Sequence, residues 1–123
     1  DDPNFQSVVD KLATEYDLAV DVRAEGFERF RGFGENSQAL SPAEKAATLR
    51  QSLETLPPGR WLHVDHPAYD TPETRAIHHI GYEGVAVDRQ GVVEAWTDAD
   101  VRAIIARRGI RLVSYADVRQ GRL

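Results

Sequence analysis

Cysteine is absent from this 123-residue chain, which excludes a disulfide framework and any thiolate metal site and fits a reducing, cytoplasmic compartment. Methionine is absent too, so position 1 is not a translational start. With no signal-type apolar segment to explain a removed leader, the chain is expected to be a piece of something longer. No apolar run approaches the length of a membrane span, so no membrane partner is expected. Positive charge is in deficit: 15 Lys and Arg against 20 Asp and Glu leave a net charge of -5 and a pI near 5.3. That balance argues against nucleic acid, whose binders need a basic face. What remains, 41% hydrophobic and 28% charged residues, is an ordinary globular composition, enough for one domain over 1–123 with a modest core.

Helical and strand patterns alternate along the chain. Asp2-Pro3 is an N-cap followed by proline at the first helical position, and Phe5, Val8, Val9, Leu12 and Tyr16 recur at helical spacing, which predicts a helix over 3–16. "LAVDV" (18–22) alternates as a short strand does. From Arg23 to Leu40 no clean period is present, with glycines at 26, 32 and 34 and phenylalanines at 27, 30 and 33. Two readings of this long connection stay open: a short helix tucking its rings into the core, or a lid over a ligand site. Ser41-Pro42-Ala43-Glu44 is a capping box opening a helix to about Leu56, with Leu49, Leu53 and Leu56 as its apolar stripe and Pro57-Pro58-Gly59 as its stop. "RWLHV" (60–64) is a strand pattern, and Thr71-Pro72 opens a short helix. Thr97 or Asp98 caps another helix with Val101, Ile104 and Ile105 inward and Gly109 as its stop, and "IRLVSY" (110–115) reads as the last strand. The order predicts an α/β fold with a mainly parallel sheet, in which ligands sit at the carboxyl ends of the strands.

All four histidines fall between His63 and His79. If the strand persists, His63 and Asp65 point the same way, while Pro67 holds His66 in an extended conformation. Three readings of this stretch stay open. The imidazoles could satisfy hydrogen bonds around a turn, with Asp70 or Thr71 capping the next helix. His63, His66 and an aspartate could share zinc or a similar ion. One histidine could exchange protons with a substrate while Asp65 fixes its tautomer. His78 and His79 are adjacent and diverge on a helix, which makes them poor joint ligands.

The stretch "HPAYDTPETRAI" followed by "GYEGVAVDRQGVVEAWTDADVRAIIARRGIRLVSYADV" resembles the closing section of the YdjC-like carbohydrate deacetylases, which include chitooligosaccharide and hopanoid-associated deacetylases. There a strand ends in His-Pro, a variable loop follows, and a helix leads into a final "RGIRLISYxDL"-like strand. His66-Pro67 and residues 107–118 match this pattern closely. Helix 3–16 with "EYDLAV" is also similar, and the likeness is weak over 23–40. The resemblance implies that the chain is the C-terminal portion of a distorted (β/α) barrel. The intact protein would be a bacterial hydrolase of carbohydrate metabolism that removes N-acetyl groups from a carbohydrate substrate with a divalent metal, zinc or magnesium. The family's metal ligands, one aspartate and two histidines, lie on segments with no counterpart here. Asp1-Asp2-Pro3 does not match the Asp-Asp-Phe-Gly segment, so no metal ligand and no cofactor are expected in this chain alone.

One position carries over by resemblance: His66 corresponds to the family's His-Pro histidine, which sits opposite the metal as catalytic acid. Asp65, His63 and Tyr69 stand beside it as candidate substrate-binding or supporting residues. Two other functions remain in play at this point: a non-catalytic α/β binding or interaction module lacking the metal-binding half, and a self-sufficient metal hydrolase using His63, His66 and Asp65. Part of a barrel exposes sheet edges and apolar faces, so a homodimer is an expected state.

Overall fold

In the computed structural model, which describes residues 2–18 and 22–123, the chain divides into two units: Asp1–Phe27 with Leu112–Leu123, and Glu28–Arg111. Within the first unit, Asp2 caps α1 (Pro3–Glu15) by accepting the Asn4 N–H at 2.8 Å, as the Asp-Pro pair predicts. The stripe of Phe5, Val8, Leu12 and Tyr16 is exposed. The strand predicted over 18–22 falls mostly on 19–21, outside the described residues. Of the strand predicted over 110–115, residues 110–114 carry no strand pairing among the described residues. Ser114 instead caps α6 (Tyr115–Arg119) in a capping box with Asp117. The Ser114 hydroxyl and N–H both donate to the Asp117 carboxylate, at 2.6 and 2.8 Å, and hold it far below the usual carboxylate range. That Ser-x-x-Asp signal starts the helix at Tyr115, within the predicted strand. Arg119 ties α6 to Asp17 with an ion pair of 3.1 Å.

The second unit is built on α2 (Pro42–Thr55), whose predicted capping box between Ser41 and Glu44 is present. Removing the hydroxyl with Ser41→Ala leaves the Glu44 N–H without its partner. The expected cost is about 1 kcal/mol of stability, seen as a lower melting temperature; an unchanged melt would show that the cap is dispensable. Leu49 and Leu53 of the predicted stripe are buried and Leu56 is partly so. Lys45 lies on the same stripe, four residues before Leu49, and is only 1% exposed.

Packed along α2 is α4 (Val85–Thr97), the element that sequence periodicity missed. Its valines at 85, 87, 92 and 93 and its glycine at 91 give low intrinsic helix propensity, so tertiary packing has to make up the difference. Gly91 permits the close approach: a Cβ there would come within 3.0 Å of Lys45 Cδ and 3.1 Å of Pro42 Cα. Val92 and Ala95 join Leu49 and Leu53 in the core. Asp98 accepts the Val101 and Asp100 N–H groups at the start of α5 (Ala99–Arg107), and the Val101 N–H above all holds its carboxyl below the ordinary range. Val101 and Ile104 of α5 complete the core, as their spacing predicts. At the other end Gly109 takes φ +65°, the left-handed stop expected of glycine. Arg108 reaches back to the Leu53 and Leu56 carbonyls, at 2.6 and 3.0 Å, at the carbonyl end of α2.

Among the described residues the sheet is small: β1 (Phe27–Arg29) and β2 (Arg60–Leu62) lie parallel, and the pairing extends to a Phe30 N–H to Leu62 carbonyl bond of 2.9 Å. Phe30 and Phe33 are buried. The long connection therefore does tuck rings into the core, by a strand and one 3-10 turn (Ser37–Ala39) and not by the helix that was one of its readings. Thr71 caps a short α3 (Pro72–Arg75), as expected. The architecture is mixed α/β, about half helical. Among the described residues no helix is long and apolar enough to cross a membrane.

Candidate functional site

Strand pairing stops at Leu62, and residues 63–71 run on without regular structure into α3. The first of them, His63, is half-buried with its ring centroid 5.6 Å from that of Phe30, 5.7 Å from Phe33 and 5.0 Å from Trp96. Its Nδ1 lies 3.2 Å from the Phe30 carbonyl oxygen. A carbonyl only accepts, so this hydrogen bond requires the proton on Nδ1. Nε2 then faces Asp65 Oδ2 at 3.6 Å, beyond hydrogen-bonding distance, and is buried without a partner. The other oxygen of Asp65 accepts the backbone N–H of His66 at 2.8 Å. Core rings thus hold His63, His63 stands against Asp65, and Asp65 fixes the backbone of His66. The His66 side chain is exposed, and its ring makes no hydrogen bond among the described residues.

His63, Asp65 and His66 line one cleft of about 370 Å³, together with the segment from Arg29 to Glu35 and with Tyr82, Asp88 and Arg89. Beside it is a buried ionic cluster. Lys45 Nζ lies 2.7 Å from Asp88 Oδ1, an ion pair without hydrogen-bond geometry. The same ammonium donates to the Ser37 carbonyl and sits 5.3 Å from the Phe33 ring centroid. Tyr82 donates its hydroxyl to Asp88 Oδ2. Burial first, then the Asp88 carboxylate, pushes the Tyr82 phenol up from 10.0 to about 12.

A phenol that holds its proton more tightly in the folded state stabilises that state fully below its unfolded value, and the contribution is lost as pH rises through the folded value. Stability is therefore expected to fall between about pH 10 and 12, and Tyr82→Phe should flatten that stretch of the profile. The check is urea denaturation of both proteins across that range; parallel profiles would contradict the assignment.

The structure brings together His63, Asp65 and His66, as the sequence suggests, and leaves Tyr69 out. Tyr69 is exposed and does not line the cleft; its carbonyl accepts the Thr74 hydroxyl beside α3. His78 and His79 are exposed, and His79 meets the Tyr82 ring edge-on at 5.6 Å. Sequence reasoning missed Arg29, Lys45, Tyr82, Asp88 and Arg89. One signal was available: a lysine at a core position of a leucine stripe implies a buried partner of opposite charge.

Among the described residues no three His, Asp or Glu side chains gather closely enough to hold a metal ion. His63 bonds the Phe30 carbonyl through Nδ1 and Asp65 bonds the His66 backbone N–H, and these three side chains are not part of any such group. The divalent ion implied by the family resemblance finds no ligand set among the described residues. Comparison with family models, with curated proteins and with solved structures finds no match.

Proposed function

We propose that the chain is the C-terminal portion of a metal-dependent carbohydrate N-deacetylase, in which His66 supplies the proton to the departing amine. The observation that carries this reading is an imidazole open to a cleft while its own backbone is fixed by Asp65. In amide hydrolysis the C–N bond breaks, the oxygen of water ends in the carboxylate, and the amine nitrogen must take up a proton to leave. Histidine is the side chain suited to giving that proton near neutral pH. Asp65 serves this step by placing the His66 main chain, since it binds that N–H and not the ring. Ser37 and Gln38, also on the cleft, offer hydrogen-bonding groups to sugar hydroxyls.

In this reading the parallel pair β1–β2 belongs to a (β/α) barrel, and the metal ligands come from sequence outside the chain. The test is turnover of an N-acetylated chitooligosaccharide by the intact protein carrying His66→Ala, with metal content measured alongside. Loss of turnover with metal retained is expected, and equal turnover overturns the role of His66.

A further inference from the structure

Among the described residues the buried side-chain polar atoms without a hydrogen-bond partner are His63 Nε2, Asp88 Oδ1 and Arg89 Nε, and all three belong to residues lining the one cleft. Protein interiors satisfy such atoms unless the site is kept for something else. Asp88 Oδ1 has its charge balanced by Lys45 at 2.7 Å. Arg89 has no such ion pair: the residue is half-buried against the Tyr82 phenol and pairs with no carboxylate among the described residues. Arg29, exposed on the same cleft, forms none either.

Among the other cleft charges, only the Asp65 carboxylate lacks a Lys or Arg partner among the described residues. Arg31 pairs with Glu35, Lys45 with Asp88, and Asp65 lies beside His63 and binds the His66 N–H. Two guanidiniums without carboxylates therefore face one cleft in a chain whose net charge is -5, the reverse of what its composition favours. A guanidinium presents a planar fork of donors that matches a carboxylate or phosphate, and it gains most where water is partly excluded.

We propose that this cleft recognises an oxyanion, a carboxylate or phosphate group carried on a sugar, with Arg89 as its half-buried anchor and Arg29 as its exposed second contact. The oxyanion rests on the two arginines alone; its sugar carrier rests on the deacetylase reading.

Calorimetric titration of the 123-residue chain with glucuronate, glucose 6-phosphate and glucose at low salt tests the proposal. At least one of the two anions should bind about tenfold to a hundredfold more tightly than glucose, and the advantage should shrink as salt is added. Whichever anion is preferred identifies the group as carboxylate or phosphate. Arg89→Gln should abolish the advantage, Arg89→Lys should fail to restore it, and Arg29→Gln should reduce it. Arg29 is exposed, so Arg29→Gln keeps the fold and decides the matter if the Arg89 variants do not fold.

Equal affinity for glucose and both anions, no detectable binding of either anion, or an anion advantage that survives these substitutions overturns the proposal. Its failure is distinguishable from failure of the deacetylase reading. Anion preference without His66-dependent deacetylation by the intact protein removes only the latter, and His66-dependent deacetylation without anion preference removes only the former.

Discussion

Replacing Lys45 with alanine is expected to destabilise the protein by about 3–5 kcal/mol, the cost of breaking a buried ion pair by removing one partner. The Lys45 side chain is 1% exposed and that of Asp88 11%, so solvent replaces the lost charge only in part. The substitution leaves Asp88 with the Tyr82 hydroxyl as its remaining bond, strips the Ser37 carbonyl of its donor, and opens space between α2 and α4 where Gly91 packs on the lysine stem. Set against the roughly 5–15 kcal/mol that holds a typical domain together, this is a large fraction of the total. Lys45→Met fills most of the space yet still strands the carboxylate, so it should be nearly as damaging. Adding Asp88→Asn to Lys45→Met removes the orphaned charge and should recover part of the loss, which a double-mutant cycle measures as a coupling energy. Urea denaturation reads these three variants and the Asp88→Asn single that closes the cycle; a Lys45→Ala protein within about 1 kcal/mol of the parent would show that the pair does not fasten the fold.

His66→Ala is expected to have the larger effect on chemistry and a small one on structure. A positioned general acid contributes about 10²-fold to 10⁴-fold, and the amine of an amide is a leaving group that depends on it. The bond that fixes the loop runs from the His66 backbone N–H to Asp65, and alanine keeps that N–H. The ring is exposed and outside the core cluster, so its removal leaves no cavity. Loss of turnover can therefore be assigned to the missing proton donor and not to a displaced loop. An aryl acetate ester, whose phenolate departs without a proton, should be hydrolysed at nearly the parent rate.

What the sequence made legible was local. Asp2, Ser41, Thr71 and Asp98 each cap a helix where the side chain and the following residues predict, because a cap is settled within about one turn of chain. His63, Asp65 and His66 reach one cleft because they are neighbours in sequence at the exit of a strand. Tyr69 shows the limit of that proximity: three residues past His66, the chain has already turned toward α3 and carried the ring away from the cleft.

The missed features depend on contacts between distant segments. The helix at Val85–Thr97 is weak by propensity and exists by packing on α2. The Lys45–Asp88–Tyr82 cluster joins that helix to α2 and to the turn before it, a pairing that no single window of sequence contains. "IRLVSY" reads as one strand to Tyr115, while Ser114 and Asp117 carry the signal of a helix start that takes its last residue.

Proton donation by His66 is decided by comparing the intact protein and its His66→Ala variant on two substrates, an N-acetylated chitooligosaccharide and an aryl acetate ester, with metal content measured for both. The expected result is a loss of about 10²-fold to 10⁴-fold on the amide with little change on the ester and the same metal content. Equal turnover of the amide by both proteins, or the same proportional loss on amide and ester, would contradict it.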